Sequence, residues 1–338
     1  MNRVTKLATP PTFISYSAVG GFEESRGPLG KCFDLCDPSD KFGQDSFELA
    51  EGEMVREAIN IALSKAGISH TALDMIIGGD LQNQCVASSI SFSSFGVPFL
   101  GVYGACSTAT ESLLIGAAML ECGAAKTLLC ATSSHNCAAE RQFRTPLEYG
   151  AQRAPSAQWT STAAASFILS RDGSLVPSDS GTLKITEIMP GRIISGATTD
   201  STNMGAAMSF AAADSIISYF EESSHSPSDF DLVVTGDLGF VGSELLHGIL
   251  RDKLPSVVPL HADCGCILYD KNKSDVHAGA SGCGTSAAVL ACHFLPLLRS
   301  GELSRILFLS TGALMSPSSV LQGNDILGIA PAIVIESR

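Results

Sequence analysis

Leu73-Asp74-Met75-Ile76-Ile77-Gly78-Gly79-Asp80-Leu81 is matched, 157 residues further on, by Phe230-Asp231-Leu232-Val233-Val234-Thr235-Gly236-Asp237-Leu238. Each stretch has an aspartate, a four-residue strand-like run and then Gly-Asp-Leu. One such match means little, because short apolar strands resemble each other by chance. Two more pairs follow in the same order. Gly104-Ala105-Cys106-Ser107-Thr108-Ala109 opens a helical pattern that leads into the strand Thr127–Ala131, and Gly282-Cys283-Gly284-Thr285-Ser286-Ala287 opens another that leads, past Gly301, into Arg305–Leu309. Ala165–Arg171 and Ala332–Arg338 close the two series. Three ordered matches at a similar offset indicate a duplicated unit, with halves 1–172 and 173–338.

Within each half, strands and helical patterns alternate. Strands are expected near Pro11–Ser17, Met75–Gly79, Thr127–Ala131 and Ala165–Ser170, then Thr182–Ile188, Leu232–Thr235, Ile306–Ser310 and Ile329–Ile335. Helices are expected at Ser46–Ala66, Ser107–Cys122, Met204–Phe220, Gly242–Arg251 and Thr285–Leu298. Such alternation argues for a mostly parallel sheet with helices on its faces. Thr108–Cys122 and Thr285–Leu298 carry almost no charge, and a helix apolar on every side is a buried one. Two such helices between two sheets make a five-layer α/β/α/β/α sandwich whose halves are related by a pseudo-twofold axis.

Composition supports a large core. The 338 residues are 45% hydrophobic and 16% charged, against about 25% charged in an ordinary domain. Disorder is excluded on that ground. A net charge of −13 without a Lys/Arg run excludes a nucleic-acid role. Eleven cysteines, an odd number without the density of a secreted scaffold, suggest free thiols in a reducing compartment. No signal peptide or bilayer-spanning stretch is visible. No P-loop and no strand-following Gly-x-Gly-x-x-Gly occurs, so no nucleotide cofactor is expected. His261, Cys264 and Cys266 have a zinc-like spacing but lack a fourth ligand, so no metal is expected either. Cys32 and Cys36, with Asp34, Asp37, Asp40 and Asp45 nearby, are assigned to a loop that lacks an EF-hand pattern.

The duplicated architecture, with a cysteine where the first buried helix begins, resembles the thiolase-like superfamily, and within it the ketoacyl-acyl-carrier-protein synthase III type. Gly104-Ala105-Cys106-Ser107 matches the nucleophile elbow and Gly284-Thr285-Ser286-Ala287-Ala288 the second-half elbow. Further stretches resemble a sporulation-specific branch: Gly104–Thr110, Ser133–Asn136, Gln142–Arg144, Glu148–Gly150 and Ala157–Thr160. The resemblance implies a homodimer that pairs first-half sheets edge to edge, covering the apolar strand that follows the buried helix. It also implies that dipicolinic acid, or its calcium chelate, is the ligand. It further implies work beside membrane proteins of the same operon, peripherally at the inner membrane of the developing spore.

The site candidates follow from the chemistry. Cys106 at a helix N-terminus is placed for a lowered thiol pKa; the competing reading is a small buried hydrophobe. Condensing chemistry also needs a base and oxyanion donors. The resemblance places the family's histidine and asparagine at Gly236 and Gly239, and a second asparagine at Gly284. All three polar partners are missing and Asp237 intrudes, so condensing catalysis is expected to be lost. His135, beside Ser133, Ser134 and Asn136, is a pocket-lining candidate and the substitute base if the chain is instead an acyl-thioester enzyme acting through Cys106. Arg141, Arg144 and Arg153 are candidates to clamp a carboxylate. The expected ligand-binding set is Cys106, Ser107, His135, Asn136, Arg144, Arg153, Gly236, Asp237 and Cys283. A third reading keeps the fold as a structural adaptor with a vestigial pocket.

Overall fold

The computed structural model describes residues 2–143, 153–172, 181–272 and 275–337. The first half contributes strands β1 (Thr12–Gly20), β2 (Met75–Asp80), β3 (Phe99–Gly101), β4 (Thr127–Ser134) and β5 (Ala163–Ser170). The second contributes β6 (Leu183–Met189), β7 (Leu232–Thr235), β8 (His261–Asp263), β9 (Arg305–Leu309) and β10 (Ala332–Ser337). The first-half order is β3-β2-β4-β5-β1 and the second-half order is β8-β7-β9-β10-β6. The pairing senses also agree: β2 is parallel to β3 and β4, and β7 is parallel to β8 and β9. β5 runs antiparallel to both neighbours, as does β10. The same order and the same senses twice over are the duplication seen in the sequence.

Three expectations are corrected. The sheets are mixed rather than mostly parallel, because the closing strand of each half enters antiparallel. The two halves are also continuous, β1 meeting β6 through the single pair Thr12 and Lys184. Finally, the apolar strand after the buried helix, β4, lies inside the sheet between β2 and β5. The exposed edge belongs to β3, three residues too short to stand out in the sequence. The residues between the halves, 173–180, lie outside the described set, and Thr5–Lys6 crosses to pair with β6 of the second half.

Among the described residues, the helices of eight residues or more are α1 (Phe47–Ala66), α2 (Thr108–Glu121), α3 (Asn136–Phe143), α4 (Met204–Glu222) and α5 (Gly239–Lys253). Ser46 caps α1 by accepting Leu49 N–H, and the helix stops at Gly67 with φ of 65°. The second buried helix is not the continuous one expected. It runs as Cys283–Val289 (α6), a π-turn Leu290–Phe294, then Leu295–Ser300 (α7). Pro296 explains the break: it lacks an N–H, and its ring clashes with the carbonyl four residues back, so the ladder shifts to Leu295 N–H on Leu290 O.

Three apolar clusters define the layers. Val55, Ile59 and Leu63 of α1 pack on the outer face of the first sheet. Met208, Ile216 and Tyr219 of α4, with Leu246 and Leu250 of α5, cover the outer face of the second. Between the sheets, Leu113 and Ala117 of α2 and Ala287 and Val289 of α6 join strand residues of both halves, such as Leu128 and Ile306. The central helices are therefore enclosed, which is why they carry so little charge.

Candidate functional site

Cys106 sits on a strained turn. Ala105 adopts φ of 51°, a left-handed value that costs a non-glycine residue energy, and α2 begins three residues later. The turn is held from below: Ser107 Oγ lies 2.7 Å from Gly104 O and 2.8 Å from Glu111 Oε1, its one proton shared between the two acceptors, and Thr108 Oγ1 donates to Ala105 O at 2.7 Å. Cys106 faces a small cavity of about 30 Å³ that opens to the surface. Leu81, Phe143, Met204 and Met315 form its apolar walls, and Glu140, Thr160 and Ser281 its polar ones. Thr160 Oγ1 donates to Glu140 Oε1 at 2.9 Å.

Beneath the thiol lies Asp237, fully buried. Its Oδ2 accepts Gly282 N–H at 2.8 Å and Ser281 Oγ at 3.3 Å, and its Oδ1 accepts Thr311 Oγ1 at 2.8 Å. Burial pushes its carboxyl up to about 7. Cys106 Sγ stands 3.9 Å from Ser281 Oγ. Contrary to the expectation from the helix terminus, its thiol is held well above the ordinary range, by burial first and by the Asp237 charge second. The partial charge of a helix end is small beside full desolvation next to a carboxylate.

Only Cys106, of the expected set, lines the cavity among the described residues. Ser107 points back into the elbow. Cys283 is buried and donates to Ser133 O at 2.9 Å. His135 is fully buried; its Nε2 lies 2.8 Å from Asp40 O, and its ring packs on Phe47. It is therefore not placed as a base for Cys106, and burial lowers its pKa. Asn136 Nδ2 donates to Thr160 O at 3.0 Å, buttressing the wall from behind. Arg141 pairs with Glu48. Arg153 donates to the carbonyls of Asp275 and Gln158 and lies over Trp159, 5.1 Å from the ring centre. Arg144 lies outside the described residues. The residues the sequence reading missed, Glu140, Thr160, Ser281, Met204 and Met315, come from both halves. Ser281 was the most legible of these, since it directly precedes the helix-opening stretch Gly282–Ala287.

The stage V sporulation protein AD family model matches residues 1–336. This chain belongs to that family. It is 38% identical over 327 residues to the stage V sporulation protein AD of Bacillus subtilis (strain 168), covering 96% of this chain and 94% of that protein. Among solved structures, this SpoVAD-family chain is similar to cerulenin-bound OleA of Xanthomonas campestris (TM-score 0.61, 15% identity, 97% and 99% of the two chains). It is also similar to the tetronic acid condensing enzyme AbyA1 (TM-score 0.60, 16% identity, 96% and 99%). A third similar structure is the 3-oxoacyl-[acyl-carrier-protein] synthase III of Aquifex aeolicus VF5 (TM-score 0.55, 13% identity, 96% and 99%). The fold is thus the thiolase-like one of the condensing enzymes.

Against that fold, the three glycines of the SpoVAD-family chain take on a steric meaning. A Cβ at Gly284 would stand 2.2 Å from Ala163 O and 2.6 Å from Ser134 Oγ. One at Gly236 would stand 2.9 Å from Ser310 Cα, and one at Gly239 2.2 Å from Ala278 O, where φ is also +64°. A side chain at any of these three positions would collide with neighbouring backbone or side-chain atoms.

Proposed function

We propose that this SpoVAD-family chain is a binding protein built on a condensing-enzyme fold, and that it holds dipicolinic acid, free or as its calcium chelate, in the cavity over Cys106 during sporulation. The observation that supports the reading is the crowding at Gly236, Gly239 and Gly284: where the resemblance would put the condensing enzymes' histidine and asparagines, a side chain would collide with its neighbours. Burial of Cys106 beside Asp237 supports it, since a thiol kept protonated is a poor nucleophile. The apolar walls suit a flat aromatic body, and Thr160 and Ser281 offer hydroxyl donors. Glu140 on the wall repels a free dianion, so the calcium chelate is the better match in charge.

The family also points to work in the developing spore beside membrane proteins of the same operon. Among the described residues no helix is long and apolar enough to cross a membrane, so attachment there would run through such partners. Self-association through the β3 edge belongs to the same reading. Phe99, Leu100 and Tyr103 are 39%, 40% and 47% exposed, and an unpaired apolar edge invites another strand.

The test is titration calorimetry with dipicolinate, with and without calcium, on the parent and on Cys106→Trp. Saturable heat in the parent that vanishes in the folded variant supports the reading. Equal binding by both moves the ligand elsewhere, and no binding by either favours an adaptor. A stable acyl adduct on Cys106 after incubation with an acyl-CoA would restore the enzyme reading.

A further inference from the structure

His247 Nε2 and His261 Nδ1 lie 2.9 Å apart, and His261 Nε2 lies 2.8 Å from Thr235 Oγ1. Thr235 Oγ1 donates to Asp263 Oδ2 at 2.6 Å. These four side chains link α5, β8 and β7 in an unbroken file that lies apart from the cavity. Valence fixes the proton positions. Thr235 gives its one hydroxyl proton to the carboxylate, so it must accept from His261, whose Nε2 is protonated. A neutral His261 then has its lone pair on Nδ1, and His247 Nε2 carries the proton between the rings. Every hydrogen bond in the file points inward, toward Asp263.

Asp263 is buried, 3% exposed. Its Oδ2 also accepts Leu238 N–H at 2.9 Å, and its Oδ1 accepts Gly239 N–H at 2.9 Å and Cys266 N–H at 3.1 Å. Thr235 precedes Asp237 by two residues, and Leu238 and Gly239 follow it directly. The inner end of the file therefore grips, from both sides, the loop that carries the acid beneath Cys106. Charge on Asp263 also raises the Asp237 carboxyl.

We propose that His247, His261 and Thr235 form a proton path between solvent and Asp263, through which the charge beneath the cavity is set. A proton binds Nδ1 of half-buried His247, whose Nε2 proton passes to His261 Nδ1. The His261 Nε2 proton passes to Thr235, and the Thr235 proton to Asp263 Oδ2. One proton enters, one is bound, and each hydrogen bond reverses without losing its pair of atoms. Afterwards Asp263 donates to Thr235, Thr235 to His261, and His261 to His247. A file complete in both polarities is what a relay requires, whereas a purely structural brace needs only one. The charged and titratable groups around it are few. Arg251, one turn along α5, opposes charge on His247, and His247 opposes charge on His261. Asp237, Cys264 and Cys266 face Asp263, and Lys271 faces Cys266.

The experiment is a jump of the full chain from mildly alkaline to mildly acidic pH, followed by the infrared band of the protonated carboxyl. The Asp263 band is assigned by its loss in Asp263→Asn or, should that variant not fold, by its shift in Asp263→Glu. Thr235→Val removes the relaying hydroxyl at nearly constant shape, and should delay the band by about tenfold or more, a barrier change of about 1.4 kcal/mol. His247→Gln, at the half-buried outer end, keeps an N–H donor that cannot relay, and should give the same delay even if Thr235→Val does not fold. Unchanged rates in the folded variants overturn the proposal. So does a band that neither Asp263 substitution alters.

Discussion

Ser134 Oγ stands 2.6 Å from the point a Cβ on residue 284 would occupy, and the same hydroxyl accepts the Gly284 N–H at 3.2 Å. One serine on β4 thus fills the place of a second-half side chain, and the N-terminus of α6 packs directly on the first sheet. Restoring an asparagine here is a packing problem before it is a catalytic one.

Gly284→Asn should destabilise the protein by about 1–3 kcal/mol or more, the usual cost of overpacking. Adding Ser134→Gly should recover only part of this, because Ala163 O, at 2.2 Å, remains in the way. Urea unfolding of the single and double variants reads the difference. Full recovery in the double variant would show that the serine alone closes the site.

The thiols should react in an order set by burial. Cys32 and Cys122 are exposed, while Cys106 and Cys283 are buried and held well above the ordinary thiol range. Brief alkylation of the native protein, mapped by mass spectrometry, should label the first pair and spare the second, with the contrast gone in denaturant. Fast labelling of Cys106 in the native state would mean that its thiolate is accessible after all.

Stability should fall as pH rises through neutrality. Burial lifts Glu24 to about 7, Glu51 to about 8 and Asp237 to about 7. A carboxyl raised on folding binds more protons folded than unfolded, so its contribution is full below the unfolded pKa and is lost as pH climbs to the folded one. Buried histidines such as His135 and His261 are shifted down and act with the opposite sign at acid pH, so the cleanest window lies between about pH 6.5 and 8. The urea midpoint should drop across that window, and Glu51→Gln should flatten the drop. A midpoint that rises instead would refute the assignment.

Edge pairing through β3 can be tested without touching the cavity. Leu100→Lys places a charge on an exposed, unpaired strand, a device that keeps natural edges apart. Sedimentation should show the parent as a dimer and the variant as a monomer of unchanged stability. A monomeric parent at micromolar concentration removes the self-association proposal.

The duplication and the long strands and helices were legible in the sequence because they depend on local periodicity. Leu73–Leu81 and Phe230–Leu238 read as equivalent strands, and both proved to lie at the same place in their sheets. The edge strands β3 and β8 were not legible, since three residues carry no period. The break at Leu290–Phe294 was signalled by Pro296, but a buried apolar run masked it.

The site divided along the same line. Through its resemblance to the condensing enzymes, the sequence pointed to Cys106 as the elbow residue and to Gly236, Gly239 and Gly284 as positions to inspect, because those are statements about which residue stands where. Only the folded chain decided that a side chain at those glycines would meet packed atoms and that His135 turns to Asp40. It alone brought Glu140 and Thr160 together with Met204, Ser281 and Met315 around the thiol. It also reversed the expected pKa of Cys106. Which side chains share a cavity, and how dry it is, depends on two halves meeting across more than a hundred residues of chain, and desolvation is a property of that meeting and not of any local stretch.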